Sequence, residues 1–293
     1  MSYPWLMFPP SDAVTPLPIS VRHSLPPVLR CTAEAGRFRV MAGVIEDLAV
    51  QHAELRTLVG RCNDSDWLRG TPCEGWDVGD VLLHLAMSDE LAVASARGDL
   101  DSFSEGVLGP RVENRITVDA AAAAQVASER AMGGAAIASR WDTSSLHLLA
   151  ELRTGDPHRE VTWISGRFSL LTLATTRLAE SWIHTGDIAS ALGVEVVPTD
   201  RIRHIVRLAW RTLPYAFEEA GMSLSGPVAL DLVGPSGDHW TYAPDDAPST
   251  TISGSAVEFC NVAGRRIAPD STDLVGVGPD AQTVLSLVRT YAL

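Results

Sequence analysis

From Val44 to Leu213 the apolar residues recur at helical spacing in one stretch after another; after Gly221 that spacing gives way to short β-like runs. This change of period constrains the fold more than any single residue does. A helix buries its apolar stripe only against other helices or a sheet, so successive stripes of this length demand a bundle. "VIEDLAVQHAELRTLVG" places Val44, Ile45, Leu48, His52, Leu55 and Val59 on one stripe. After the turn-rich "RCNDSDWLRGTPCEGWDVGD", Asp77 reads as an N-cap with Asp80 three residues on, opening the helix "VLLHLAMSDELAVASARG". Residues 101–118 read as a loop, and an alanine-dominated helical region runs from about Asp119 to Arg153, weakened at Gly133 and Gly134. "TGDPHREVTWISGRF" reads as a connection, and Ser169 as the cap of a fourth helix that ends at Leu192. A fifth helix, "VPTDRIRHIVRLAWRTL", has Thr199 or Asp200 as its cap and meets Pro214 at its end.

Beyond Gly221, "PVALDLVG", "HWTYAP" and "STTISGS" read as strands, the first two joined by the turn-forming "PSGD". "AVEFCNVAGRR" and "DAQTVLSLVRTYA" read as helices. The expected organisation is a helical bundle over residues 41–222 followed by a small α+β domain over residues 223–293. Residues 1–40 carry seven of the 18 prolines and read as a non-helical, Pro-rich extension.

Composition removes several function classes. Twenty-three basic against 36 acidic residues give a net charge of −13, which argues against a nucleic-acid or anionic-membrane partner. Every basic residue is Arg, so a Schiff-base lysine and a P-loop lysine are both excluded. Cys31, Cys62, Cys73 and Cys260 form no C-x-x-C pair and no disulfide framework, which favours a reducing cytoplasm. No apolar run approaches the ~18 residues that span a bilayer, and the first 40 residues lack a Lys/Arg start followed by an apolar core, so a secretory signal is not expected there. The expectation is a cytoplasmic protein, monomeric or homodimeric, that acts on a small molecule.

The chemistry concentrates in "LAESWIHTGDIASALG". Glu180, His184 and Asp187, at i, i+4 and i+7, stack along one helix stripe. Imidazole nitrogen and carboxylate oxygen one turn apart can reach one zinc, iron, nickel or manganese ion. His84, mid-helix among leucines, would supply a third ligand, and His₂Glu with open positions is a catalytic pattern. Asp187 would support catalysis by orienting His184. The competing reading is a polar helix edge in which Glu180 and His184 pair at the surface.

The chain resembles the DinB-like metal-binding bundles of actinobacteria related to mycothiol-dependent maleylpyruvate isomerase. The resemblance covers residues 41–293. It rests on "DWLRGTPCEGWDVGDVLLHLAMSDELA", on "TTRLAESWIHTGDIASALGV" with "PTDRIRHIVRLAWRT", and on "ISGSAVEFCNVAGRR", in that order. Within them lie a W-x₇-H spacing from Trp76 to His84 and an R-x₂-E-x₃-H-x₂-D pattern from Arg177 to Asp187. The resemblance implies a DinB-like four-helix bundle followed by a small α+β sterol-carrier-like C-terminal domain. It implies zinc-type ligation by His84, Glu180 and His184, with Asp187 at an acidic position beside them. The branch it points to is described mainly as metal-binding.

Other residues stand open between two readings. Cys73, where relatives more often carry a small residue, is a small buried hydrophobe or a free thiol near the bundle mouth. His52 is a satisfied boundary histidine or a neighbour of the cavity. Arg177 forms a plain salt bridge or binds an anionic substrate, and Arg265 and Arg266 cap such a substrate or end a solvated helix. The expected function is a divalent-metal-dependent enzyme, with zinc first and nickel, iron or manganese as other candidates. It would activate a low-molecular-weight thiol, mycothiol as co-substrate, for addition to an electrophile as S-transferase or isomerase. The alternatives are a metal-water hydrolase or lyase, and a non-catalytic metal- or ligand-binding protein.

Overall fold

The computed structural model describes residues 27–102, 118–164 and 166–290 of the chain. Four long helices come first: α1 (Pro27–Val59), α2 (Val78–Arg97), α3 (Val118–Glu129) as a shorter companion, α4 (Gly134–Thr154) and α5 (Leu170–Leu192). Residues 27–40 are helical, which corrects the expectation of a non-helical extension reaching residue 40. Pro27 stands at the first helical position, where a missing N–H leaves no intrahelical bond unmade. The rest of that extension, and the loop expected over residues 101–118 from residue 103 to residue 117, lie outside the described residues.

Local signals set the helix ends. Asp77 and Asp80 form a reciprocal capping box at the start of α2: each carboxylate accepts the other residue's backbone N–H, at 2.9 and 3.2 Å. Ser169 accepts from the Thr172 N–H at the start of α5. Both helices stop at a glycine in the left-handed region, Gly98 and Gly193, which only glycine enters without strain. The helical region expected from Asp119 to Arg153 is broken at Gly133 into α3 and α4.

Val44 and Leu48 of α1, Ala92 and Ala96 of α2, Leu148 and Leu152 of α4, and Leu173 and Leu178 of α5 share one core. The stretch expected as a plain connection holds a hairpin of β1 (Glu160–Trp163) and β2 (Gly166–Ser169), antiparallel with Val161 opposite Phe168. Val161 is buried in the bundle core, and Trp163 and Phe168 pack on it. These three apolar positions are too few to reveal strands without the surface they cover.

The fifth expected helix divides at Thr212 into α6 (Arg203–Arg211) and α7 (Leu213–Glu219), because Pro214 fits only near the start of the second. A four-stranded sheet follows, made of β3 (Val228–Val233), β4 (His239–Tyr242), β5 (Thr250–Ser255) and β6 (Val275–Val277), in the order β4-β3-β5-β6. β3 runs antiparallel to β4 and parallel to β5, with Leu230 beside Ile252. Along β3 the buried Leu230 and Leu232 alternate with the exposed Asp231 and Val233, so one sheet face is covered. α6, α7, α8 (Ala256–Ala263) and α9 (Ala281–Leu287) cover it through Ile205, Phe217, Phe259 and Val284. The fold is thus a helical N-terminal region with a small C-terminal sheet region, mixed α+β. Ala179 of α5 belongs to the same sheet-side cluster. Gly264, which ends α8, lies so close to α5 that a Cβ on it would stand 3.1 Å from Ile183 Cδ1. That approach delivers the residues after α8 to the polar stripe of α5.

Candidate metal centre

α2 carries His84 to α5, which carries Arg177, Glu180, His184 and Asp187. Glu180 Oε2 stands 3.6 Å from His84 Nε2 and 3.6 Å from His184 Nε2. One ligand atom from each of the three residues can be chosen so that all lie within 4.8 Å of one another. Two donors each ~2.0–2.1 Å from one zinc ion would be roughly 3.3 Å apart, so this spacing suits a shared ion. The two imidazole rings meet edge to face at 5.1 Å, and Trp76 covers His84 with ring centroids 5.1 Å apart. The surface-pair reading of Glu180 and His184 does not hold, since His184 is 8% exposed and both face His84 across the bundle.

Behind His184, its Nδ1 lies 2.8 Å from Asp187 Oδ2. Asp187 is 2% exposed and also accepts two bonds from Arg266, Nε to Oδ1 at 2.6 Å and Nη2 to Oδ2 at 2.7 Å. The Cys73 thiol donates to the same Oδ2 at 3.2 Å, and its sulfur is 3.9 Å from His184 Nδ1. Cys73 is therefore a half-buried thiol within the polar cluster, rather than an apolar filler. Arg266 is no solvated helix end, whereas Arg265 turns away to donate to the Ser286 carbonyl. With Asp187 accepting the Nδ1 proton, Nε2 is the nitrogen of His184 that faces Glu180 and His84, and it would offer a lone pair to an ion on losing its own proton.

Burial opposes charge on each of these groups, and their neighbours decide the outcome. Burial pushes the His84 imidazole down, only partly offset by Glu180, and so favours a neutral ligand nitrogen. For Glu180 burial opposes ionisation, but the His184 and His84 imidazoles 3.6 Å away, together with the Arg177 charge, hold it well below the usual carboxylate range. Burial likewise opposes charge on His184, yet the hydrogen bond to Asp187, the Cys73 contact and the nearby Glu180 carboxylate keep it well above the ordinary imidazole value. Asp187 is held at about 2: burial raises it, and His184 and Arg266 more than reverse that.

Arg177, 5% exposed, lies with Cζ 5.0 Å over the Trp163 ring. Its Nε and Nη1 have no hydrogen-bond partner among the described residues, so the plain salt bridge is not formed. Two further buried groups belong to this interior. Asp89 is pushed up to about 7 by burial, against the pull of Arg177. His52 pairs through Nε2 with Ser181 Oγ at 3.1 Å and is pushed down to about 3 by burial and by Arg56 and Arg177. Sequence reasoning passed over Asp89 and the Arg266–Asp187 pair. Asp89 sits in an otherwise apolar helix face, a signal open to reading; the pair has no local signal.

Among the described residues no helix is long and apolar enough to cross a membrane. Two uncharacterized proteins of Mycobacterium tuberculosis, from strains CDC 1551 and H37Rv, are each 32% identical over 249 residues, which is 85% of this chain and 95% of theirs. Two crystal structures of the mycothiol-dependent maleylpyruvate isomerase, one of them of a mutant, share the fold at a TM-score of 0.53 and 17% identity. They cover 77% and 80% of this chain and 89% and 92% of their own. Residues 48–189 match the model described as the mycothiol maleylpyruvate isomerase N-terminal domain, and the chain belongs to that family.

Proposed function

We propose that the chain is a divalent-metal-dependent enzyme that activates a low-molecular-weight thiol of the mycothiol type for addition to an electrophilic small molecule, as S-transferase or isomerase. The observation that carries this reading is the convergence of His84 Nε2 and His184 Nε2 on Glu180 Oε2, each at 3.6 Å. The donor set is two imidazoles and one carboxylate, which suits zinc first and nickel, iron or manganese next. The family supplies the thiol, through the names of the relatives above.

A divalent ion bound there lowers the pKa of a thiol so that thiolate exists at neutral pH. The chain's own residues do the rest. His84, Glu180 and His184 hold the ion, Asp187 fixes the His184 tautomer from behind, and Arg266 holds Asp187 in place. Trp76 screens the His84 side from water. Arg177, whose Nε and Nη1 have no partner among the described residues, binds an anionic group of the substrate. In this reading residues 41–222 form the metal-binding bundle, and residues 223–293 form a domain that closes one side of the cavity. The protein works in the cytoplasm as a monomer or homodimer, with no nucleic-acid or membrane partner.

Metal analysis of the purified protein, His84→Ala and His184→Ala tests the site: full metal in either variant overturns it. Titrating mycothiol into the cobalt-substituted protein tests the thiol. The expected result is new thiolate-to-cobalt absorption upon addition; no increment would leave water as the activated group.

A further inference from the structure

His184 presents a second face to a second set of metal-ligating atoms. Beyond Nε2 and its partners, Nδ1 lies 2.8 Å from Asp187 Oδ2 and 3.9 Å from Cys73 Sγ, and the sulfur lies 3.2 Å from that same oxygen. These three ligand atoms lie within 4.8 Å of one another and share only the His184 ring with the His84–Glu180–His184 set. For an ion ~2.3 Å from sulfur and ~2.0–2.2 Å from nitrogen and oxygen, the donors would stand roughly 3.3–3.6 Å apart, and the three separations straddle that range. A thiolate beside an imidazole and a carboxylate favours a soft or borderline divalent ion such as zinc.

We infer that Cys73, His184 and Asp187 form a second, thiolate-containing metal site on the Nδ1 face of His184. With the His84–Glu180–His184 site already filled, an entering ion replaces two protons, one from Cys73 Sγ and one from His184 Nδ1, and both pass to solvent. The ring then bridges the two positions as an imidazolate. Asp187 Oδ2 turns from accepting hydrogen bonds to ligation. Arg266 Nη2, which also lies 3.6 Å from Cys73 Sγ, releases both Oδ2 and the sulfur while Nε keeps Oδ1 at 2.6 Å, so one guanidinium charge still faces the added anionic donors. The site depends on Cys73, so a serine at that position removes it.

This goes beyond the proposed function and rests on it only for the first ion. The test titrates cobalt into metal-free wild type, Cys73→Ser and His84→Ala in buffer free of thiols. Wild type is expected to take two equivalents, with thiolate-to-cobalt absorption growing as the second enters. Cys73→Ser takes one equivalent without that band, and its retained equivalent shows that it is folded. His84→Ala keeps the band with a single equivalent. One equivalent and no band in wild type overturns the second site and leaves the first standing, as does a band of equal strength in Cys73→Ser. Two equivalents in His84→Ala, with the band retained, instead overturns the His84 assignment and upholds the Cys73 site.

Discussion

His184 and Asp187 lie three residues apart on α5 and share a hydrogen bond of 2.8 Å between Nδ1 and Oδ2. This contact decides which nitrogen His184 offers to Glu180 and His84, since the nitrogen that gives its proton to Asp187 cannot also present a lone pair inward.

Asp187→Asn keeps the size of the side chain and removes its charge. The proposed ligands remain, so the stoichiometry of the His84 site is expected to stay at one ion while affinity falls about 10–100-fold. Competition against a chromogenic chelator measures this, on a Cys73→Ser background so that only one site is read. Unchanged affinity would remove Asp187 from any supporting role.

Arg266→Ala leaves Asp187, 2% exposed, without its guanidinium partner. Breaking a buried pair from one side costs about 3–5 kcal/mol. Because the Arg266 side chain is 25% exposed, the lower end of that range applies here. Urea unfolding at pH 7 reads the loss, and Arg266→Lys recovers only part of it because an ammonium cannot reproduce the two-point contact.

Gly134→Ala illustrates packing against propensity. Alanine favours the helix by ~1 kcal/mol over glycine. At this position, however, its Cβ would overlap the Trp67 ring, which is itself buried in the bundle core. Overpacking costs about 1–3 kcal/mol, so a net loss of stability is expected in thermal melts. A stabilised variant would show that Trp67 can move aside.

His52 couples stability to pH. In the unfolded chain its imidazole takes up a proton below about 6.5, whereas in the fold it stays neutral down to about 3. The unfolded state therefore binds more protons in that window, and stability falls as pH drops through it, by up to about 1.4 kcal/mol per pH unit from this one group. His52→Gln should show a shallower fall between pH 6 and pH 4.5 than the wild type. Parallel curves would mean that His52 is charged in the folded protein.

The parts legible in the sequence are those whose energetics act within a helical turn. Asp77 and Ser169 announced α2 and α5 because a cap needs only residues three positions on. Glu180, His184 and Asp187 were visible as one stripe for the same reason, and Pro214 marked a helix boundary through its own missing N–H. His84 carries no such local mark: it stood as a candidate third ligand only because it is a histidine on another helix of the bundle, and its distance from Glu180 is set by how α2 packs on α5. The β1–β2 hairpin escaped because its few apolar residues gain their stability from the bundle beneath them.

Taken alone, then, the amino-acid order determined the helical segments, their caps and the polar stripe of α5. Only the tertiary structure decided what that stripe meets. Arg266 and Cys73 reach Asp187 across 79 and 114 residues of chain, and Arg177 is held over Trp163 with no ion-pair partner among the described residues. Periodicity and capping are short-range; the seating of α8 against α5 at Gly264 and Ile183 depends on apolar surface buried from both regions at once, and no local pattern records it.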